Sequence, residues 1–133
     1  MAEAMLKKIA QDKGKKVEVQ SCGTDAYNGD FSTDEAIEVM KDEYNVDLKN
    51  HRAKNIMNAD IQEFDLILCA TRRHKIFVQQ MFPNLKDKIF TIKEFAGENE
   101  DLDISDPWGY GIFAYRKCAE ELNTLLNIIV DKI

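Results

Sequence analysis

The sequence predicts an α/β fold in three layers, with a mostly parallel sheet flanked by helices. Three observations support this class. Apolar residues with helical spacing open and close the chain, and two short apolar runs, LILCA and KIFTI, lie between predicted helices. Helix and strand patterns also alternate without a dividing linker, so we expect residues 1–133 to form a single domain.

The chain begins with a predicted amphipathic helix that ends at Gly14. No Ser, Thr, Asp or Asn precedes this helix, so its first-turn N–H groups have no predicted side-chain cap. After Gly14, the alternation over Val17–Val19 predicts a strand that runs towards Ser21. The apolar face of the helix consists of Ala2, Met5, Leu6 and Ile9.

A second helix is predicted after a polar loop. Ser32 and Glu35 have the spacing of a capping box, and the helix is expected to run to Tyr44. Residues 50–55 read as a loop, and Asn58 is placed to cap a brief helical turn. The inward-facing residues predicted for the second helix are Ala36, Ile37, Met40 and Tyr44.

Two strands and two helices complete the pattern. Leu66–Ala70 is continuously apolar, which predicts a strand buried on both faces of a parallel sheet, and Lys88–Ile92 predicts a second strand. The basic segment Thr71–Lys75 leads into a helix that Pro83 ends. A long helix follows the segment DPWGYG. Its predicted apolar stripe consists of Phe113, Tyr115, Cys118, Ala119, Leu122, Leu125, Leu126 and Ile129.

Composition excludes several functions. The net charge of −6 disfavours a nucleic-acid partner, and no apolar stretch is long enough to cross a membrane. The N-terminus lacks the features of a secretory signal, so a cytoplasmic location is expected. The chain has three cysteines with no C-x-x-C spacing and two histidines, a set that predicts reduced thiols, no metal and no cofactor.

One candidate for chemistry is LILCATRRHK, which resembles the loop of a cysteine phosphatase. Such a loop needs a thiolate and an arginine that holds two phosphate oxygens. Lys75 lies where that arginine is required, and the loop contains no glycine. A buried structural role for Cys69 is therefore favoured over a nucleophilic one. Cys22 and Cys118 are not placed for catalysis.

A second candidate is Asp106, which Pro107 holds in an extended pose. Neighbouring acidic residues and the apolar Trp108 side chain would favour the protonated form of its carboxyl, which suits a general acid. The alternative is a solvated acidic loop with a proline turn. Ser21, His51 and Arg52 form a third candidate, a polar network near strand ends, in which a structural role for His51 is favoured over a catalytic one.

Six segments in order resemble the low molecular weight protein tyrosine phosphatase family: MAEAMLKK, VEVQSCGT, NHRAKNI, FDLILCAT, KIFTIKEFAG and DISDPWG. The likeness covers essentially the whole chain and is greater to bacterial members, including the protein arginine phosphatases. It implies that Asp106 is the general acid and that Tyr27 and Trp108 are aromatic walls of the substrate slot. It also implies that Ser21 and His51 brace the phosphate-binding loop.

The family's catalytic loop, C-x-G-N-x-C-R-S-P, does not occur in this sequence; by resemblance it would precede Met1, together with a central strand. The resemblance therefore implies an N-terminally truncated member without hydrolytic activity as written, whose sheet gap is closed by re-pairing of strands or by another copy of the chain. We consider two explanations: a phosphatase whose start lies one motif too late, acting on a phosphoprotein or small phosphomonoester, and a non-catalytic oligomeric binding or regulatory paralogue. Arsenate reduction on this fold also needs a nucleophilic cysteine.

Overall fold

The computed structural model describes all 133 residues. They form two compact units: Met1–Asn58 with Asp106–Ile133, and Ala59–Ser105. The helices are α1 (Ala2–Asp12), α2 (Asp34–Tyr44), α3 (Arg72–Met81), α4 (Ile92–Phe95) and α5 (Ile112–Lys132), and the strands are β1 (Ile67–Cys69) and β2 (Ile89–Thr91). Short 3-10 helices cover Ile56–Asn58, Ile61–Glu63 and Pro83–Lys88. Helices and a parallel sheet are both present, which confirms the predicted α/β class.

The core of the first unit is built by α1 and α2, which both pack on α5. Helix α5 buries most of the stripe predicted for it, and Val130 is buried in addition. Phe113 was predicted inside but is 76% exposed. At about 100° per residue its side chain lies about 160° around the helix from Tyr115, so the same stripe cannot bury both. The most deeply buried side chains of this unit include Met5, Val39, Met40, Leu126 and Ile129.

The first two helices follow their predictions with one correction. Helix α1 has no side-chain cap at its N-terminus, as predicted, and Gly14 adopts a φ of +71° after its C-terminus. Helix α2 is capped by Thr33, whose Oγ1 accepts from the Ala36 N–H, rather than by Ser32. A side-chain cap accepts a hydrogen bond from an N–H group two or three residues later, and here the donor is the Ala36 N–H, three residues after Thr33.

The inward face of α2 is also partly different from the prediction. Ala36 and Met40 are buried as expected, but Ile37 and Tyr44 are only half-buried, and Val39 takes the remaining core position. A face of residues spaced three and four apart, from Ala36 through Val39 and Met40, is what packs against α5.

The second unit contains the sheet. Strands β1 and β2 pair in parallel with Ile67 opposite Ile89 and Cys69 opposite Thr91. Both apolar runs are therefore strands, but burial of β1 on both faces was a wrong expectation: Cys69 is buried, whereas Ile67 and Leu68 are half-buried. The sheet has two strands, so β1 has a strand neighbour along one edge alone.

Two local predictions are wrong. Val17–Val19 is not a strand, because no other segment supplies a ladder of backbone hydrogen bonds to it. Asn58 is not a helix cap; it ends one 3-10 turn, and Asp60 occupies the N-cap position of the next. None of the helices has the length and hydropathy needed to span a membrane.

Candidate active site

Asp106 begins a short loop, which we call the acid loop (Asp106–Gly111), ahead of α5. The Asp106 Oδ1 accepts a hydrogen bond of 3.0 Å from the Trp108 backbone N–H, and the Asp106 side chain is exposed. This turn fixes the carboxyl group while leaving its other oxygen directed to solvent. Gly111 adopts a φ of +88° immediately before α5, a conformation that favours glycine.

The acid loop and the first turn of α5 carry three exposed aromatic side chains. Trp108 is 70% exposed, Tyr110 80% and Phe113 76%. The expected shielding of Asp106 by an apolar wall is therefore not seen. Tyr27, the other predicted wall residue, is 78% exposed on a separate loop, and its ring makes no contact with the Trp108 ring.

Ser21 and His51 converge on a residue that the sequence did not single out, Glu3 of α1. The Ser21 hydroxyl donates to Glu3 Oε1 at 3.0 Å, and His51 Nδ1 lies 3.6 Å from Glu3 Oε2. Lys7, one helical turn further on, donates to the same Oε2 at 3.2 Å. Ser21 and His51 therefore both approach the same carboxylate, that of Glu3.

The environment of Glu3 favours its ionised form. Partial burial raises the pKa of the carboxyl, but hydrogen bonds from Ser21 and Lys7, together with the charges of Lys7 and His51, outweigh burial and leave the pKa below its ordinary value. Glu3 was missed because an acidic residue in a first turn is usual for any helix.

Arg52 does not join this network. Its Nη1 donates to the backbone carbonyls of Lys49 and His51, at 2.9 Å each, and its guanidinium lies 3.6 Å from the centroid of the Phe31 ring. Arg52 therefore contacts the backbone of His51 and stacks on Phe31, but it does not reach the Glu3 carboxylate that Ser21 and His51 approach. Arg52, Ser21 and His51 nevertheless line the same cleft of about 800 Å³ in the first unit. Its lining also includes Glu3, Lys7 and Lys54.

The three cysteines form no disulfide; Cys22 is exposed, Cys69 buried and Cys118 half-buried. Burial raises the pKa of the Cys22 thiol despite the nearby Lys54 ammonium. Burial also raises the pKa of Cys118, and the Glu121 carboxylate raises it further. Both shifts favour the neutral thiol over the thiolate.

The segment after β1 is used for structure. Cys69 is 7% exposed, and the Lys75 ammonium six residues later pairs with Glu94 Oε1 at 2.7 Å. Thr71 caps α3 by accepting from the His74 N–H at 3.1 Å. A phosphate-binding loop at this place would need the Lys75 ammonium and the Thr71 hydroxyl, which are already used within the fold. The contacts therefore support a buried structural role for Cys69.

No group of three or more His, Cys, Asp or Glu side chains in the structure is arranged to hold a metal ion. The polar side chains of the cleft and of the acid loop are instead suited to hydrogen bonding and to proton transfer.

The family model described as low molecular weight phosphotyrosine protein phosphatase matches residues 1–133. The chain belongs to this family. It is 31% identical over 133 residues to a protein-arginine-phosphatase of Bacillus subtilis (strain 168), covering 100% of this chain and 87% of that protein. A protein-arginine-phosphatase of Geobacillus stearothermophilus is 35% identical over 117 residues, covering 88% of this chain and 77% of that protein.

A solved structure gives the same result for the fold. A low molecular weight protein tyrosine phosphatase from T. tengcongensis aligns with a TM-score of 0.93 and 38% identity, covering 99% of this chain and 88% of that one. The relatives thus include proteins named for phosphoarginine and for phosphotyrosine chemistry.

Proposed function

We propose that these 133 residues carry the general-acid and substrate-binding part of a protein phosphatase that acts on phosphoarginine or phosphotyrosine. The observation that carries the proposal is Asp106, fixed by the Trp108 N–H yet open to solvent, in a chain that matches the phosphatase family throughout. In this role Asp106 protonates the leaving atom of the substrate as the bond to phosphorus breaks. Tyr27 and Trp108 flank the substrate side chain.

Glu3, Ser21 and His51 have a supporting role in this proposal. Ser21 and His51 would brace a phosphate-binding loop, and Glu3 holds both of them in position. Because the Glu3 carboxylate is ionised and accepts the Ser21 hydrogen bond at neutral pH, it orients the Ser21 hydroxyl and lies at ion-pair distance from the His51 ring.

The same proposal holds that the 133 residues alone do not hydrolyse phosphate esters. The chemistry needs a thiolate that attacks phosphorus and an arginine that holds the phosphoryl oxygens. The pKa values of Cys22 and Cys118 are raised, Cys69 is buried, and Lys75, six residues after Cys69, already pairs with Glu94. We expect no turnover of p-nitrophenyl phosphate by the chain as given; turnover abolished by Cys69→Ser would overturn this.

A chimera tests the catalytic role directly. An apolar strand with the loop C-x-G-N-x-C-R-S-P, which the family resemblance implies, is fused before Met1. We expect the chimera to hydrolyse p-nitrophenyl phosphate, and substitution of the first loop cysteine by serine to abolish the activity. A folded chimera, with the helical circular dichroism of the Bacillus subtilis relative but without turnover, would contradict the proposal.

The substrate preference can be assigned with the same design. The loop grafted before Met1 is taken in one chimera from a protein-arginine-phosphatase and in the other from a protein-tyrosine-phosphatase. We expect the preference for phosphoarginine or phosphotyrosine peptides to follow the graft, because Tyr27 and Trp108 offer flat aromatic surfaces to either. A preference independent of the graft would assign the choice to these 133 residues.

The oligomeric alternative has one specific observation in its favour. The sheet has two strands, so β1 presents an edge without a strand neighbour, and such edges add strands from other chains. We propose self-association of the chain as given, measured by size-exclusion chromatography with light scattering. A stable monomer that unfolds cooperatively would contradict it.

A further inference from the structure

Two hydrogen-bonded loops of the first unit expose large apolar side chains, and one of these, Phe31, carries a stacked arginine. Tyr27 is 78% exposed, Phe31 68% and Met57 72%, and the Arg52 guanidinium lies over the Phe31 ring. We call these four residues the Arg52 surface. Isolated exposed apolar residues are common, but three on two linked loops that also carry an oriented cation are typical of a binding surface.

The two loops are tied together by hydrogen bonds. Asn28 Oδ1 accepts from the Asn55 N–H at 2.7 Å, and Asn55 Nδ2 donates to the Ala26 carbonyl at 2.9 Å. Phe31 and Arg52 also face each other across an isolated antiparallel bridge. A surface held in this way loses little conformational entropy when a partner binds.

Arg52 has hydrogen-bonding capacity to spare. Its Nη1 is used by the carbonyls of Lys49 and His51, while its Nε and Nη2 have no protein partner. No carboxylate forms a salt bridge with Arg52 or with Lys54, although the chain has 24 acidic against 18 basic residues. A guanidinium that is oriented but unpaired is suited to a carboxylate from another molecule.

Arg116 provides the contrast within the same unit. It also lies near an exposed aromatic ring, 5.5 Å from the Phe113 centroid, but its Nε pairs with Glu43 Oε1 at 3.2 Å. Each of the two arginines therefore lies near an exposed aromatic ring of its own, but only Arg116 forms a salt bridge within the chain. The pair supplies a matched control.

We propose that the Arg52 surface binds an acidic segment of the protein substrate, with a carboxylate on Arg52 and an apolar side chain of that segment against Tyr27 or Met57. That the segment belongs to a substrate rests on the proposed function; recognition of an acidic peptide rests on the Arg52 surface alone. Arg52 and Lys54 are too few for a continuous phosphate backbone on a chain of net charge −6, whereas the exposed apolar side chains match those of a peptide.

Fluorescence anisotropy with unphosphorylated peptides tests the proposal on the chain as given. The probe is a fluorescein-labelled peptide of Asp and Glu around one Phe, and its control has Asn and Gln in place of the acidic residues. We expect the acidic peptide to bind about tenfold more tightly than the neutral one, with Arg52→Gln weakening it by about the same factor. Arg116→Gln should change its affinity by less than about twofold.

A further variant and two comparison ligands distinguish the shape of the guanidinium from its charge. Arg52→Lys keeps the charge but loses the planar fork, so we expect it to recover only part of the lost affinity. The proposal is overturned if the neutral peptide binds equally well, if Arg52→Gln and Arg116→Gln weaken binding equally, or if a single-stranded RNA of equal charge binds more tightly. Circular dichroism confirms that each variant is folded. Because the peptides carry no phosphate, a failure to bind them says nothing about hydrolysis by the chimera, which is tested separately.

Discussion

The acid loop and the segment after β1 are two of the three places where the sequence suggested chemistry, and the structure uses their polar groups differently. After β1, Thr71 caps α3, the Arg72 N–H is bonded to Asp103 Oδ1 at 2.8 Å, and Lys75 pairs with Glu94. In the acid loop, Asp106 accepts one hydrogen bond, from a backbone N–H two residues away. Resemblance to a motif is therefore a weaker guide to a site than the availability of its polar groups.

The largest difference between the two regions should appear in activity. In the chimera, Asp106→Asn removes the proton donor and should lower kcat for an ester with a poor leaving group by about a hundredfold to ten-thousandfold. Cys69→Ser, in the buried position, should leave kcat within about twofold. Steady-state kinetics on both variants measures this, and a larger loss for Cys69→Ser would reverse the comparison.

Capping of α3 is the next effect. Thr71→Ala removes the acceptor for the His74 N–H and should lower the free energy of unfolding by about 1 kcal/mol. Thr124→Ala is the matched control, because Thr124 lies inside α5 and is exposed. That change should be neutral or slightly stabilising, since Ala has the higher helix propensity. Urea unfolding compares the two, and equal losses would argue against the cap.

The Lys75–Glu94 pair is expected to contribute less. Both side chains are partly exposed, so Lys75→Met should lower the free energy of unfolding by about 0.5–1 kcal/mol. Lys117→Met is the control, an exposed lysine for which the structure gives no ion pair. If Lys75 were instead reserved for phosphate, its removal would cost no stability in urea unfolding.

The pH dependence of stability gives the smallest effect. The hydrogen bond from Lys75 lowers the pKa of Glu94 below its ordinary value of 4.5, against partial burial that raises it. A lowered folded-state pKa stabilises the protein above the unfolded value, and this stability is lost as the pH falls through the folded pKa. Glu94→Gln should therefore show a weaker loss of stability on acidification below 4.5, measured by urea midpoints. Identical pH profiles would contradict this.

Helices were predictable because their hydrogen bonds close within each segment. The spacing of Leu122, Leu126 and Ile129 alone indicated α5 and its buried face. The strand expected at Val17–Val19 did not form, since a strand requires a neighbour that its own residues cannot supply.

The site was predictable in part for a similar reason. The pattern around Asp106 is local, and Pro107 and Trp108 identify it. Glu3, at the centre of the Ser21 and His51 contacts, is brought to them by the tertiary fold and has no local signature. Stacking of Arg52 on Phe31 likewise joins residues with no shared period.

In the proposed function, Asp106 donates a proton to the leaving group. The most direct test of this role is the ratio of kcat between the chimera and its Asp106→Asn variant for two esters, phenyl phosphate and p-nitrophenyl phosphate. Phenoxide, the poorer leaving group, needs the proton more, so the account predicts a much larger loss for phenyl phosphate than for p-nitrophenyl phosphate. Equal losses for the two esters would contradict a general-acid role for Asp106.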